Sequence, residues 1–260
     1  MVTVTRSGPR SVSPGSGGYS GAVPFTATPL PGSIFLGWTV DGTFVGLANL
    51  LDLPVTGNRT IAATFAPRPG FTDVSRDLPS EEAIAQLAAR GIIRGLGDGT
   101  FGPADPVLRA QMAALIARAM GWGLEDHGNA FPDQGSVDAN LWRNVGTLAF
   151  HGVARGFPDG TYSPTGEVLY AQAISFIARA MVAQGYWAVQ PDDPALYPNV
   201  PTASGHRQDI ATYVHYAGAM PDFPGIGGGF GPWDQSATRA WFARALWQAY
   251  GSFFATNRLP

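Results

Sequence analysis

One spacing organises most of this chain. Residues 91–103 read GIIRGLGDGTFGP and residues 152–164 read GVARGFPDGTYSP, an offset of 61. Residues 109–120, RAQMAALIARAM, meet residues 170–181, YAQAISFIARAM, at the same offset. A third, more diverged copy runs GAMPDF at 218–223, GGGFGP at 227–232 and TRAWFARALWQAY at 238–250. The copies also open alike, on Phe71-Thr72-Asp73-Val74, Phe131-Pro132-Asp133 and Tyr197-Pro198-Asn199-Val200. A repeat of this period makes the repeat the folding unit. One unit is too small to bury its own apolar face, so several must pack together, and three suggest a pseudo-threefold cluster.

Each unit predicts helix, tight loop, helix. In the first, Ser80 is a suitable N-cap and Glu81 and Glu82 follow where the helix dipole favours acids. Ile84, Leu87 and Ala88 form an apolar stripe, and Gly91 ends the helix in the left-handed conformation. After the Gly-Asp-Gly-Thr turn, Pro103 and Pro106 delay the second helix, whose stripe is Met112, Leu115, Ile116, Ala119 and Met120.

Composition narrows the function. Charged residues are 13% of the 260, against about 25% in ordinary globular chains. The net charge of −3 is split, with four Arg and two Asp before residue 71 and an acidic excess after it. All 16 basic residues are Arg, yet no basic cluster or aromatic-interleaved stripe occurs, which argues against nucleic acid as a partner. Hydrophobic residues at 45% fit a folded core rather than disorder. The chain holds no Cys and so no disulfide or thiolate site. It has no apolar run of about 18 residues to span a membrane. The first 30 residues lack the layout of a secretory signal. An export signal is therefore expected to lie outside this chain or to have been removed.

The first 66 residues read as a β module. Val2 to Thr5 alternate as a short edge-like strand, and a Ser/Gly/Pro-rich loop follows from Ser7 to about Gly21. Ile34, Leu36, Trp38 and Val40 share one face of the strongest strand. Asp41-Gly42 turns it into Thr43-Phe44-Val45. Gly57-Asn58 turns the chain again, and Thr60 to Phe65 forms the last strand, with Ile61, Ala63 and Phe65 on one side. Residues 67–70 are a stiff linker. The stretch from Thr28 through Ile34-Phe35-Leu36-Gly37-Trp38, with Val40-Asp41-Gly42 and the closing Thr60-Ile61-Ala62-Ala63-Thr64-Phe65, resembles a bacterial surface repeat of the internalin B-repeat type. That resemblance implies a spacer or adhesive stalk in an exported protein.

From residue 71 onward the chain resembles S-layer homology repeats, on the aromatic-x-Asp openings, Gly-Ile-x-x-Gly, Asp-Gly-Thr-Phe-x-Pro and the Thr-Arg-Ala-Glu type of helix start. The repeats fall at 71–128, 129–194 and 195–260. The resemblance implies a mainly α domain in which three repeats form a pseudo-threefold spindle. Its grooves would bind a cell-wall-linked polysaccharide, often bearing pyruvylated sugars. An acidic ketal suits a guanidinium fork, and glycine-rich turns and helix N-termini add amide donors. Carried over residue by residue, the candidates are Arg109 and Arg239 for the acidic group, with Gly95, Asp98 and Thr100, then Asp159 and Thr161, and Tyr170 as a sugar-stacking ring. Asp98 and Asp159 equally suit ordinary turn chemistry, and both arginines equally suit anchoring a helix start.

The chain departs from the family pattern at the helix starts. They read Leu108-Arg109-Ala110-Gln111, Leu169-Tyr170-Ala171-Gln172 and Thr238-Arg239-Ala240-Trp241. The third copy carries Gly227-Gly228-Gly229 for Asp-Gly-Thr. His127, His151, His206 and His215 have no metal-ligand spacing, no calcium or phosphate loop is present, and no nucleophile motif occurs. Neither a catalytic site nor a cofactor is expected. Two functions fit. In one, the repeats attach an extracellular protein to the envelope polysaccharide with the β module as stalk. In the other, the chain is a self-assembling subunit of a surface layer or filament. There the strand Val2–Thr5 could pair with a copy of the same chain.

Overall fold

The computed structural model describes residues 1–7, 10–128, 130–133, 136–192, 205–218 and 233–254. The chain divides into two compact units, one built on Met1–Gly70 and the other on most of the chain from Phe71 onward.

The first unit is two sheets sharing one apolar core. The strands are β1 (Val2–Arg6), β2 (Arg10–Ser13), β3 (Gly21–Pro29), β4 (Ser33–Val40), β5 (Thr43–Gly46), β6 (Leu50–Val55) and β7 (Arg59–Pro67). One sheet runs β1-β7-β4-β5 and the other β2-β3-β6. Alternation along each strand sends one face inward. Phe35, Trp38, Val40, Ile61, Ala63 and Phe65 from the first sheet meet Phe25, Leu51, Leu53 and Val55 from the second. Trp38 is fully buried and donates its indole N–H to the Ala48 carbonyl at 2.9 Å. Burying rings and branched chains at about 1.5–3 kcal/mol each drives the two sheets together.

Three expectations are corrected here. The loop expected from Ser7 to Gly21 contains β2, and β3 and β6 are strands that the sequence reading passes over. In β4 the inward face is Phe35 and not Leu36, because a bulge between Phe35 and Gly37 shifts the register. Leu36 is left half-buried while Phe35 stacks edge-on to Phe65. Strand β7 runs on through Ala66 and Pro67, taking the first residue assigned to the linker. The edge-like strand β1 pairs in parallel with β7 from Val2↔Arg59 to Arg6↔Ala63 and stands at the edge of its sheet. The Asp41-Gly42 turn is as expected, with φ of 51° and 83°.

Six helices lie among the described residues: α1 (Glu81–Ala89), α2 (Arg109–Ala119), α3 (Ala139–Phe150), α4 (Tyr170–Ala183), α5 (Arg207–Ala217) and α6 (Arg239–Phe254). Ser80 and the acids Glu81 and Glu82 stand at the start of α1, and Gly91 follows it at φ 71°. The tight helical hairpin is not what forms. The connection between α1 and α2 is long and ordered, and the close helix pairs are α2 with α3 and α4 with α5, across repeat boundaries.

The three helix starts at Arg109, Tyr170 and Arg239 are tied to one another by backbone. Val107 N donates to Ala237 O at 3.0 Å, Ala237 N to Val168 O at 2.8 Å, and Val168 N to Val107 O at 2.9 Å, closing a ring. All three side chains are fully buried. Outside this ring, Arg109 N donates to Gly166 O, Tyr170 N to Gln235 O and Arg239 N to Asp105 O, at 2.8–3.0 Å. The amides of Ala110, Ala171 and Ala240 reach Pro164, Trp233 and Pro103 carbonyls in the same sense. A helix leaves its first amides without internal partners, and here the next repeat supplies them.

Val168→Asp places an unpaired charge at the centre of this ring, a change expected to cost about 3–5 kcal/mol. Denaturant unfolding followed by the helical circular dichroism signal should show a markedly lower midpoint. An unchanged midpoint would contradict the buried ring.

Candidate functional site

In the first two repeats the long connection is held by the aromatic-x-Asp opening. Phe71 packs on Phe101 at 5.5 Å between ring centres, and Phe131 on Tyr162 at 5.3 Å. The Phe71 ring fits because Gly95 has no side chain: a Cβ there would stand 2.7 Å from it. Gly156 leaves the same space for Phe131. Asp73 accepts the Phe101 and Gly102 amides at 2.8 and 2.7 Å, and Asp133 accepts those of Tyr162 and Ser163. Desolvation alone would raise the Asp73 pKa, but the amide bonds outweigh it and the carboxyl titrates below its ordinary value.

The Asp-Gly-Thr turns are closed on themselves. Asp98 accepts from the Thr100 amide at 2.9 Å and from its hydroxyl, and Asp159 does the same with Thr161. The threonine hydroxyl bond is the main reason each carboxyl is held below its ordinary pKa. Both acids are exposed and line neither of the cavities described below.

The two carried-over arginines are buried and spend part of each guanidinium inside the fold. Arg109, 4% exposed, donates Nε to Tyr162 O at 2.6 Å and Nη1 to Gln172 at 3.3 Å. Its carbon lies 4.6 Å from the ring centres of Phe157 and Tyr162 and 5.4 Å from that of Phe176. Arg239 repeats the arrangement one unit on, with Nε to Phe101 O at 2.8 Å, Nη1 to Gln111 at 3.3 Å and its carbon 4.7 Å from the Phe101 ring. Burial lowers the pKa of both, and a guanidinium stays charged through such a shift. Gln111 and Gln172, at the family's glutamate position, also accept the Leu108 and Leu169 amides. Tyr170 takes the third arginine position, its ring edge-on to Trp241 at 4.5 Å.

Arg239 opens onto a cavity of about 300 Å³; Arg109 lines neither cavity. Gly95 is in the cavity wall, with Arg94, Phe101, Gln111, Arg118 and the start of α3 at Asp138 and Leu141. Asp138 caps α3 by accepting the Asn140 and Leu141 amides. Arg118 donates Nη1 to Ile92 O, and its pKa is lowered by burial first and by Arg94 second. Three arginines thus line one cleft together with the Asp138 carboxylate that caps α3, and the arginines suit a carboxylate or phosphate ligand. A second cavity of about 250 Å³ is lined by His151, Arg155, Arg179 and Asp209 among others. Sequence reasoning misses Arg94, Arg118, Arg155 and Arg179. Yet Arg94 and Arg155 stand at the repeat offset, as do Arg118 and Arg179, within the very strings that reveal the repeat. The third copy's Tyr197 opening, its GAMPDF stretch beyond Gly218 and Gly227-Gly228-Gly229 lie outside the described residues.

Residues 70–113 and 130–174 match the S-layer homology domain, and residues 1–69 match the divergent InlB B-repeat domain. A cell surface protein of Thermoanaerobacter kivui is 39% identical over 129 residues, covering 46% of this chain and 16% of that protein. A surface layer protein of Brevibacillus choshinensis is 31% identical over 157 residues, covering 58% and 13%. A Bacillus anthracis protein named an uncharacterized cell wall amidase is 32% identical over 116 residues, covering 43% and 21%. This chain therefore spans only a small fraction of the length of the curated relatives it matches.

Two outcomes follow from the packing around the arginines. Arg109→Ala leaves the Tyr162 carbonyl without its donor and a void among three rings; thermal unfolding should report a loss of about 2–4 kcal/mol. Asp73 stabilises the fold through a lowered pKa, so its contribution is full above about pH 4 and drains away as pH falls through the folded value. Asp73→Asn should therefore flatten the acid limb of a stability-against-pH curve measured by urea unfolding.

Proposed function

We propose that this chain, which carries S-layer homology repeats behind a divergent B-repeat module, belongs to a non-catalytic exported surface protein that fastens to a cell-wall-linked polysaccharide. The observation that carries the reading is the convergence of Arg94, Arg118 and Arg239 on one cleft. An acidic sugar, such as one bearing a pyruvate ketal, would present its carboxylate to those forks. Hydroxyls would then face Gln111 and the polar start of α3. In this reading three repeats form a three-pronged spindle about the ring of Val107, Val168 and Ala237, and the ring's closure supports that arrangement. The B-repeat module serves as the stalk. Of the residues first proposed for the ligand, Arg239 and Gly95 keep that role. Arg109 becomes a clamp between repeats, Asp98, Thr100, Asp159 and Thr161 shape turns, and Tyr170 packs on Trp241.

A second reading makes the chain part of a self-assembling surface layer or filament. It is supported by the surface-layer relative and by Phe150, 68% exposed on α3 and stacked on His127 at 4.2 Å, which leaves an aromatic patch for a neighbouring copy. In the donated-strand version β1, which ladders with β7 on one side and forms the outer edge of its sheet, would pair with a copy through its other edge. Electron microscopy of concentrated protein separates the readings, since strictly monomeric particles under all conditions would remove the second.

Co-sedimentation with purified sacculi tests the first. The protein should pellet with native sacculi and stay in solution once the secondary polymer is stripped; equal behaviour in both would overturn anchoring. Arg94→Ala, on an exposed side chain, should weaken pelleting by about tenfold while leaving the melting temperature unchanged, the loss of one charge-assisted contact.

A further inference from the structure

The outer edge of β1 is covered by a turn from the other sheet. In the parallel ladder Arg59 N donates to Met1 O and Ser7 N to Ala63 O, so alternate residues of β1 face β7. Val2 and Val4 therefore turn their backbone groups away from it. Val2 N donates to Gly17 O at 2.8 Å, and Gly17 N returns a bond to Val2 O at 3.0 Å. Two residues on, the Val4 amide donates to the Ser16 hydroxyl at 2.8 Å. Gly15, which a continued ladder would set opposite Val4, gives its carbonyl to the Tyr19 hydroxyl at 2.9 Å, and the pairing ends after one rung. These residues belong to the connection from β2 to β3. Tyr19 anchors them, its ring edge-on to the core residue Phe25 at 6.0 Å. A Cβ on Gly17 would lie 3.0 Å from that ring, so the turn seats against it only as glycine.

We propose that the Gly15–Gly17 turn is a guard that denies the β1 edge to a second copy of this chain until the turn moves. Val2 to Thr5 alternate Val and Thr without a charge, and an open edge of that kind is a template for a like strand. The backbone groups an incoming strand would bond first, those of Val2 and the Val4 amide, are the ones the turn holds. A copy must therefore replace the Gly17 rung and the Ser16 bond and free the turn from Tyr19 before it gains any pairing of its own. The guard makes the donated-strand form of self-assembly conditional on that movement. It does not depend on that form, since assembly through any other surface leaves the guard in place.

The test is sedimentation velocity of the full chain over a concentration series, with melting curves to verify that each variant folds. Ser16→Ala combined with Gly17→Pro removes the hydroxyl, the Gly17 N–H and the space beside Tyr19. This opened chain should associate at a concentration lower than the wild type by about tenfold. Adding Val4→Pro, which takes away an outward amide and leaves those facing β7, should reverse the gain. If the double variant melts early, Tyr19→Phe replaces it. That change keeps the ring, drops only the bond to Gly15, and should give a smaller rise of the same sign. Folded opened variants that associate no more than the wild type overturn the guard, as does a gain that Val4→Pro fails to reverse. Wild-type assembly that Val4→Pro abolishes also overturns it, and upholds donated-strand assembly through an edge already open. Wild-type assembly indifferent to Val4→Pro, with the gain still seen on opening, upholds the guard and places natural assembly on another surface.

Discussion

The first amides of an α-helix point out of its end with nothing inside the helix to receive them. In this protein the amides of Arg109, Ala110, Tyr170, Ala171, Arg239 and Ala240 all find carbonyls in a different repeat. Leu108 and Leu169 stand where Ser, Thr, Asp or Asn would cap a self-sufficient helix, and neither can accept such a bond. A lone repeat would therefore expose an apolar stripe and an unsatisfied helix end together. Association answers both costs with one set of contacts, and the ring through Val107, Val168 and Ala237 lies at their centre.

The same contacts give the arginine at the helix start a structural role. Arg109 and Arg239 enter the neighbouring connection, give Nε to a backbone carbonyl and lie on its aromatic ring. That connection is itself pinned from the opposite side by Asp73 or Asp133, whose carboxylates take the two amides beside the carbonyl-bearing residue. Polar groups on both sides of a short backbone segment hold it in one conformation, and the cleft wall beside it becomes rigid.

Much of this was legible from residue patterns, and the failures have specific causes. The helices, the stop at Gly91 and the Asp41-Gly42 hairpin follow from local preferences that tertiary packing does not oppose. Leu36 was misplaced because a bulge is a contest between two strands, and alternation within one strand carries no sign of it. Pro24 and Pro54 hide β3 and β6 from a reading by strand propensity, yet in the ladder Pro24 stands opposite Asp52 and Pro54 opposite Ala22. Asp98 and Thr100 drew attention as a polar loop pair, yet two residues spaced this way satisfy one another first.

From the residue order alone came the repeat period, the helix content, the β module and the kind of surface protein to which such modules belong, because each is set by periodicity or by short motifs. Tertiary structure decided which arginines border a cleft. Arg109 and Arg239 occupy the same motif position and are both buried against a neighbouring repeat, but Arg239 borders the first cleft while Arg109 lies beside the rings of Phe157 and Phe176. Charge and exposure at a cleft are sums over residues far apart in the chain, and only the folded backbone brings those residues together.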